Sequence, residues 1–200
     1  MSVADSEAVR LQFEPSAAGM LLAPDEFDAA EFEDGYRYEL IHGVLVVSPA
    51  PSPQERGPND RLGHWLCFYQ ERHPQGSALD ETLPEHDVYV GPERRRADRV
   101  IWASLGRQPR AEETPTIVVE FVSAGRRNLL RDYEEKRREY ASLGVQEYWV
   151  VDRFRRTLTV FRPDAKSVYG EDHVYTTPLL PGFELPLAKL LACADRWAAP

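Results

Sequence analysis

The segment Thr116-Ile117-Val118-Val119-Glu120-Phe121-Val122-Ser123 constrains the fold more than any other stretch of this chain. Its length and β-branched content mark a buried strand. Residues 128–142 carry a helical pattern that closes at Gly144, and Gln146-Glu147-Tyr148-Trp149-Val150-Val151 reads as a second strand. Strand 116–122, helix 128–142 and strand 146–151 make a β-α-β unit, whose crossover should be right-handed.

The remaining segments fit around that unit. Pro24 to Phe32 is expected to be a short helix with an acidic first turn. Tyr36 to Ser48 alternates apolar and polar residues about His42-Gly43, the pattern of a β-hairpin. Ser48-Pro49-Ala50-Pro51-Ser52-Pro53 must be a loop, because proline removes backbone donors. Gln54 to Arg72 places Leu62, Trp65, Leu66 and Tyr69 at helical spacing, ending near His73-Pro74. Short strands are expected at 77–81, 87–90, 97–103 and 157–161, with a polar loop at 106–115. A strand-like patch near Val174 and a helix from Pro186 to Cys193 complete the chain. This order predicts an α/β architecture, a mixed sheet flanked by helices. One domain is expected over residues 24–200, with its core at about 36–165, after an acidic, weakly ordered arm over 1–23.

Two hundred residues are enough to bury a real core. No apolar stretch approaches the roughly 20 residues a membrane helix needs. The start, Met1 to Glu14, is polar and acidic, unlike a secretory signal. Cys67 and Cys193 stand far apart without metal-ligand spacing. These features lead to the expectation of a cytoplasmic protein. The formal net charge of −9 argues against a nucleic-acid partner. The distribution weakens that objection: residues 1–34 hold nine acids and one base, whereas residues 94–156 hold fifteen bases and ten acids. Mixed charge on a solvated surface accounts for the same pattern equally well. Arg94-Arg95-Arg96 and Arg126-Arg127 are either phosphate contacts or solvated turns.

A carboxylate inside a buried strand is costly unless something pairs with it, and a bound cation is one such partner. Glu120 poses that problem. Asp98 lies between Arg94-Arg95-Arg96 and the apolar run Val100-Ile101-Trp102, so a second acid enters a neighbouring strand. Lysine use adds a third element. The chain has twenty-one arginines and three lysines, Lys136, Lys166 and Lys189. Lysine can shift its pKa and act as a point charge where arginine cannot. Asp132, Lys136 and Tyr140 recur at four-residue intervals, which sets them along one helix face. Two acids and a lysine suit a divalent-metal site for phosphodiester hydrolysis. An ordinary helix-surface ion pair, or buried acids paired with arginines, is the structural alternative.

A wider set of residues carries a resemblance. It comprises Tyr38-Glu39-Leu40-Ile41-His42-Gly43, Ser48-Pro49-Ala50-Pro51-Ser52, Asp98, Val119-Glu120-Phe121-Val122-Ser123, Asp132, Lys136, Tyr140, Gly144-Val145, Glu147-Tyr148-Trp149 and Asp152. Together these resemble the Uma-two family of restriction-endonuclease-like proteins in the PD-(D/E)xK nuclease superfamily, over roughly residues 24–165. The resemblance implies a restriction-endonuclease-like core, Mg²⁺ dependence (with Mn²⁺ able to substitute) and DNA as substrate. It assigns Asp98 and Glu120 as catalytic metal ligands, Glu39 as a further metal ligand, Lys136 as the catalytic lysine, and Asp132 and Tyr140 as supporting residues. Ala97 stands where a proline usually precedes the first acid, and Val122 where the signature has its lysine. Glu55 stands where the family often has a histidine. A homodimer is expected, since two-fold symmetry is the simplest way to cut both DNA strands. A nuclease-like binding or assembly module with little or no cleavage is the alternative.

Overall fold

The computed structural model describes residues 11–123 and 131–197, with the side chains of 131 and 132 excepted. The chain divides into two compact units, Met1–Ala50 with Gly91–Arg96, and Pro51–Val90 with Ala97–Pro200.

In the first unit, strand β1 (Gln12–Phe13) is followed by helix α1 (Pro24–Asp28) and strand β2 (Glu31–Phe32). The helix expected to reach Phe32 stops at Asp28. Glu31–Phe32 pairs in parallel with Gln12–Phe13 instead. Phe32 gains ring contacts with Phe13, Phe27 and Tyr38, an apolar reward that a continued helix would forgo. Part of the N-terminal arm is thereby built into the fold: Phe13 and Leu22 are buried with Phe27, Tyr38, Leu40 and Leu45. Strands β3 (Tyr36–Ile41) and β4 (Val44–Pro49) form the expected hairpin. His42 and Gly43 both take positive φ at its turn, 51° and 72°.

The second unit opens with helix α2 (Pro53–Arg72). Ser52 and Glu55 build a capping box at its start: the Ser52 N–H donates to Glu55 Oε2 at 2.6 Å. Strands β5 (Leu79–Val90) and β6 (Glu93–Ala103) follow. They are far longer than the three short segments expected from sequence. Glu81, Glu85 and Asp87 break the apolar alternation, because much of β5 is only half-buried. Strand β7 (Ile117–Phe121) is wholly buried. A π-helical turn (Arg131–Glu135) leads into helix α3 (Lys136–Ser142) and strand β8 (Glu147–Asp152). The first residues of the expected 128–142 helix lie outside the described residues. Strands β9 (Thr157–Arg162) and β10 (Ala165–Gly170), the short strands β11 (Val174–Tyr175) and β12 (Leu185–Pro186), and helix α4 (Leu187–Asp195) complete the chain.

The main sheet has eight strands in the order β10-β9-β8-β7-β6-β3-β4, with β5 on β6. β7 and β8 run parallel within it, as the β-α-β unit requires. Alternation along β7 and β8 splits the core of the second unit in two. Ile117, Val119, Phe121, Trp149 and Val151 join residues of α2 and α4. Val118, Val122, Tyr148 and Val150 join Tyr140 of α3. Glu120 belongs by register to the second of these faces.

Candidate metal and catalytic site

Glu120 lies mid-strand in β7, flanked on its face by Val118 and Val122 and paired across the ladder with Val150. Burial in such surroundings requires a partner. Helix α3 supplies it: Lys136 Nζ donates to Glu120 Oε1 at 2.7 Å. The side chains are 1% and 3% exposed, so the pair is dry. One turn on, the Tyr140 hydroxyl donates to the same oxygen at 3.2 Å. The four-residue spacing of Lys136 and Tyr140 thus converges on one carboxylate oxygen.

Asp98 approaches from β6. The antiparallel ladder between β6 and β7 runs through Ile101↔Ile117 and Val100↔Val118 to Arg99↔Val119. One residue further, Asp98 falls opposite Glu120. There the link passes from backbone to side chain, and the Phe121 N–H donates to Asp98 Oδ2 at 2.5 Å. Asp98 is also tethered through its own backbone. Asn59 Nδ2 on α2 donates to the Asp98 carbonyl at 2.7 Å.

Asn59 in turn holds Arg99. Arg99 Nε donates to Asn59 Oδ1 at 2.7 Å, and its other nitrogens reach Asn59 O and Thr82 Oγ1. Burial pushes the Arg99 guanidinium down from its ordinary pKa. Gly63 makes room for it: a Cβ there would lie 2.5 Å from an Arg99 nitrogen. Neither Asn59 nor Arg99 was singled out in the sequence. Arg99 carried a signal, a charge directly before Val100-Ile101-Trp102. Asn59, in a polar stretch of helix, carried none.

The other expected residues are placed as follows. Glu39 is buried in the first unit, where its Oε1 accepts the Arg96 N–H at 3.1 Å. The Asp132 side chain lies outside the described residues. Asp152 is fully buried, and its Oδ1 accepts the N–H groups of Phe154 and Arg155 at the β8–β9 turn. Glu55 serves the cap of α2. Of the arginines open to either a phosphate-contact or a solvated-turn reading, Arg94 is bound to Asp28 and Arg95 is buried. Arg126 and Arg127 lie outside the described residues. Among the described residues no group of three or more His, Cys, Asp or Glu stands together as a ready metal cage. No helix among them is long and apolar enough to cross a membrane.

No curated protein matches the chain. The crystal structure of a putative nuclease belonging to DUF820 from Anabaena variabilis ATCC 29413 superposes with a TM-score of 0.70 at 16% identity. The match covers 86% of this chain and 99% of that one, and shows that the fold is shared. The family model described as "Uma2: Putative restriction endonuclease" matches residues 24–188. The chain therefore belongs to the Uma2 family.

Proposed function

We propose that the chain is a Mg²⁺-dependent endodeoxyribonuclease in which Asp98 and Glu120 hold the metal and Lys136 assists hydrolysis. The observation that carries this reading is the buried Lys136–Glu120 contact on a strand whose neighbour brings Asp98 opposite.

The donor set fits the cation. Carboxylate oxygens are hard ligands, and Mg²⁺ takes one or two of them, keeping waters and substrate oxygens in its other positions. Donors that are all carboxylate oxygens suit Mg²⁺ better than Zn²⁺, which prefers nitrogen and sulfur ligands. Mn²⁺ accepts the same donors. When bound, the metal lowers the pKa of a water and offsets charge on phosphate oxygens.

The chain's own groups do the rest. The Phe121 N–H fixes one oxygen of Asp98, and Lys136 with Tyr140 fixes one oxygen of Glu120. Lys136 lies beside the carboxylate, placed to offset the negative charge that grows as water oxygen bonds to phosphorus and the ester oxygen departs. Fixed charges in dry surroundings are worth more than the same charges in water. Glu39 as a third metal carboxylate and Asp132 as a supporting acid rest on the family resemblance. Glu39→Gln and Asp132→Asn, read by metal affinity, test them. A homodimer with one site per protomer belongs to the same reading, and a clean monomer in sedimentation would remove it.

The second reading is a nuclease-like module that binds without cutting. It is favoured by the net acidity of the chain and by two departures from the nuclease signature, Ala97 before the first acid and Val122 in the lysine position. Plasmid nicking in Mg²⁺ that is lost in Glu120→Gln supports the enzyme. Metal and DNA binding without nicking supports the module.

A further inference from the structure

Phe161 belongs to an aromatic run that begins at the Glu120 carboxylate. Tyr140, bonded to Glu120, meets Tyr148 edge-on at 5.2 Å, and Tyr148 stacks on Phe161 at 5.9 Å. Two cations sit over the Phe161 ring. The Arg137 guanidinium lies 5.3 Å from its centroid and Lys166 Nζ 5.4 Å. Both line one cleft of about 300 Å³ beside the β9–β10 turn, together with Arg162 and Asp164. Arg162 is committed elsewhere, to Glu147 at 2.8 Å and to the Tyr175 hydroxyl. Among the described residues, neither Arg137 nor Lys166 forms an ion pair with a carboxylate.

We propose that this cleft holds a nucleic-acid backbone phosphate gripped by Arg137 and Lys166. The proposal rests on the nuclease reading of the Glu120 site and says where the flanking backbone runs. Two like charges over one ring repel, and an anion between them removes that repulsion. The ring face adds a weak attraction that holds the cations in place without neutralising them. Asp164 is the acid among these residues and works against the anion. Position agrees as well. Tyr148 pairs with Phe161, and Glu120 pairs with Val150 two residues along β8. Two strand spacings and two residues separate Glu120 from Phe161, about 12 Å between backbones. That distance suits a phosphate flanking the one being cut.

The test is binding of a short fluorescein-labelled DNA duplex across a salt series, with Ca²⁺ replacing Mg²⁺. Arg137→Gln/Lys166→Gln is expected to weaken binding about tenfold and lower the slope of log affinity against log salt by about 0.9, one phosphate's share. Asp164→Asn is expected to tighten binding, a sign that a merely structural role would not give. Lys189→Gln, on α4, is the control expected to change nothing. Wild-type binding that the double variant reproduces, with an unchanged slope, overturns the phosphate cleft and leaves the nuclease reading standing. A wild type that binds Mg²⁺ but no duplex at low salt overturns both.

Discussion

Lys136 Nζ and Glu120 Oε1 are 2.7 Å apart with almost no solvent at either side chain. A buried pair of this kind is poor evidence of stability by itself, because desolvating both charges offsets most of their attraction. Breaking it is a different matter. Lys136→Met leaves Glu120 buried without its cation and is expected to cost about 3–5 kcal/mol. Glu120→Leu/Lys136→Met removes both charges and should recover most of that loss while abolishing nicking. Urea unfolding of the three proteins checks this. A double variant as unstable as the single one would show that the pair holds the fold rather than a function.

Tyr140 touches the same oxygen through its hydroxyl alone. Tyr140→Phe keeps the ring against Tyr148 and removes only the hydrogen bond. Loss of groups that orient a metal ligand typically costs about 10–100-fold in metal affinity or activity, and that is the expected range here. Calorimetric Mg²⁺ titration and nicking rates measure it. Unchanged values for both would make Tyr140 a packing residue.

Gly63 sets how closely α2 can approach Arg99. Gly63→Ala places a methyl against a guanidinium locked by Asn59 and Thr82, so the end of the side chain must leave its partners. Overpacking of this kind costs about 1–3 kcal/mol. Because Asn59 also holds the Asp98 carbonyl, nicking should fall with stability. A Gly63→Ala protein as stable as wild type would refute the clamp.

Tyr175 is expected to contribute to the alkaline limit of the fold. Its buried hydroxyl donates to Glu147 Oε2 at 2.8 Å. Burial first, and the Glu147 carboxylate second, push its pKa well above 10.0. With the folded value raised, the stabilisation is complete below about pH 10 and is lost as pH rises beyond it. Unfolding midpoints should therefore drop between pH 9 and pH 11, and drop less in Tyr175→Phe. Equal drops in both proteins would assign the alkaline limit to other groups.

The β-α-β unit was legible because continuous apolar strands and the Gly144 stop are strong local signals. The hairpin at His42-Gly43 and helix α2 were legible for the same reason. Strand β10 was not: Ala165, Lys166, Val168 and Gly170 are exposed at the sheet edge, so nothing in their pattern demands burial. The end of α1 depended on Phe32 meeting rings distant in sequence, which local pattern cannot report. At the site, an acid inside an apolar strand announced Glu120, and scarcity of lysine announced Lys136. Asn59 acts through a backbone carbonyl thirty-nine residues away and leaves no trace in one sequence.

As proposed, Asp98, Glu120 and Lys136 form a metal-dependent cutting site. Mg²⁺ titration by calorimetry, run beside plasmid nicking, on wild type and Glu120→Gln tests it most directly. Metal binding and nicking are expected in wild type, and both are expected to be lost in the variant. Wild type that binds no metal at millimolar Mg²⁺ or Mn²⁺, or a Glu120→Gln protein that still nicks, would contradict it.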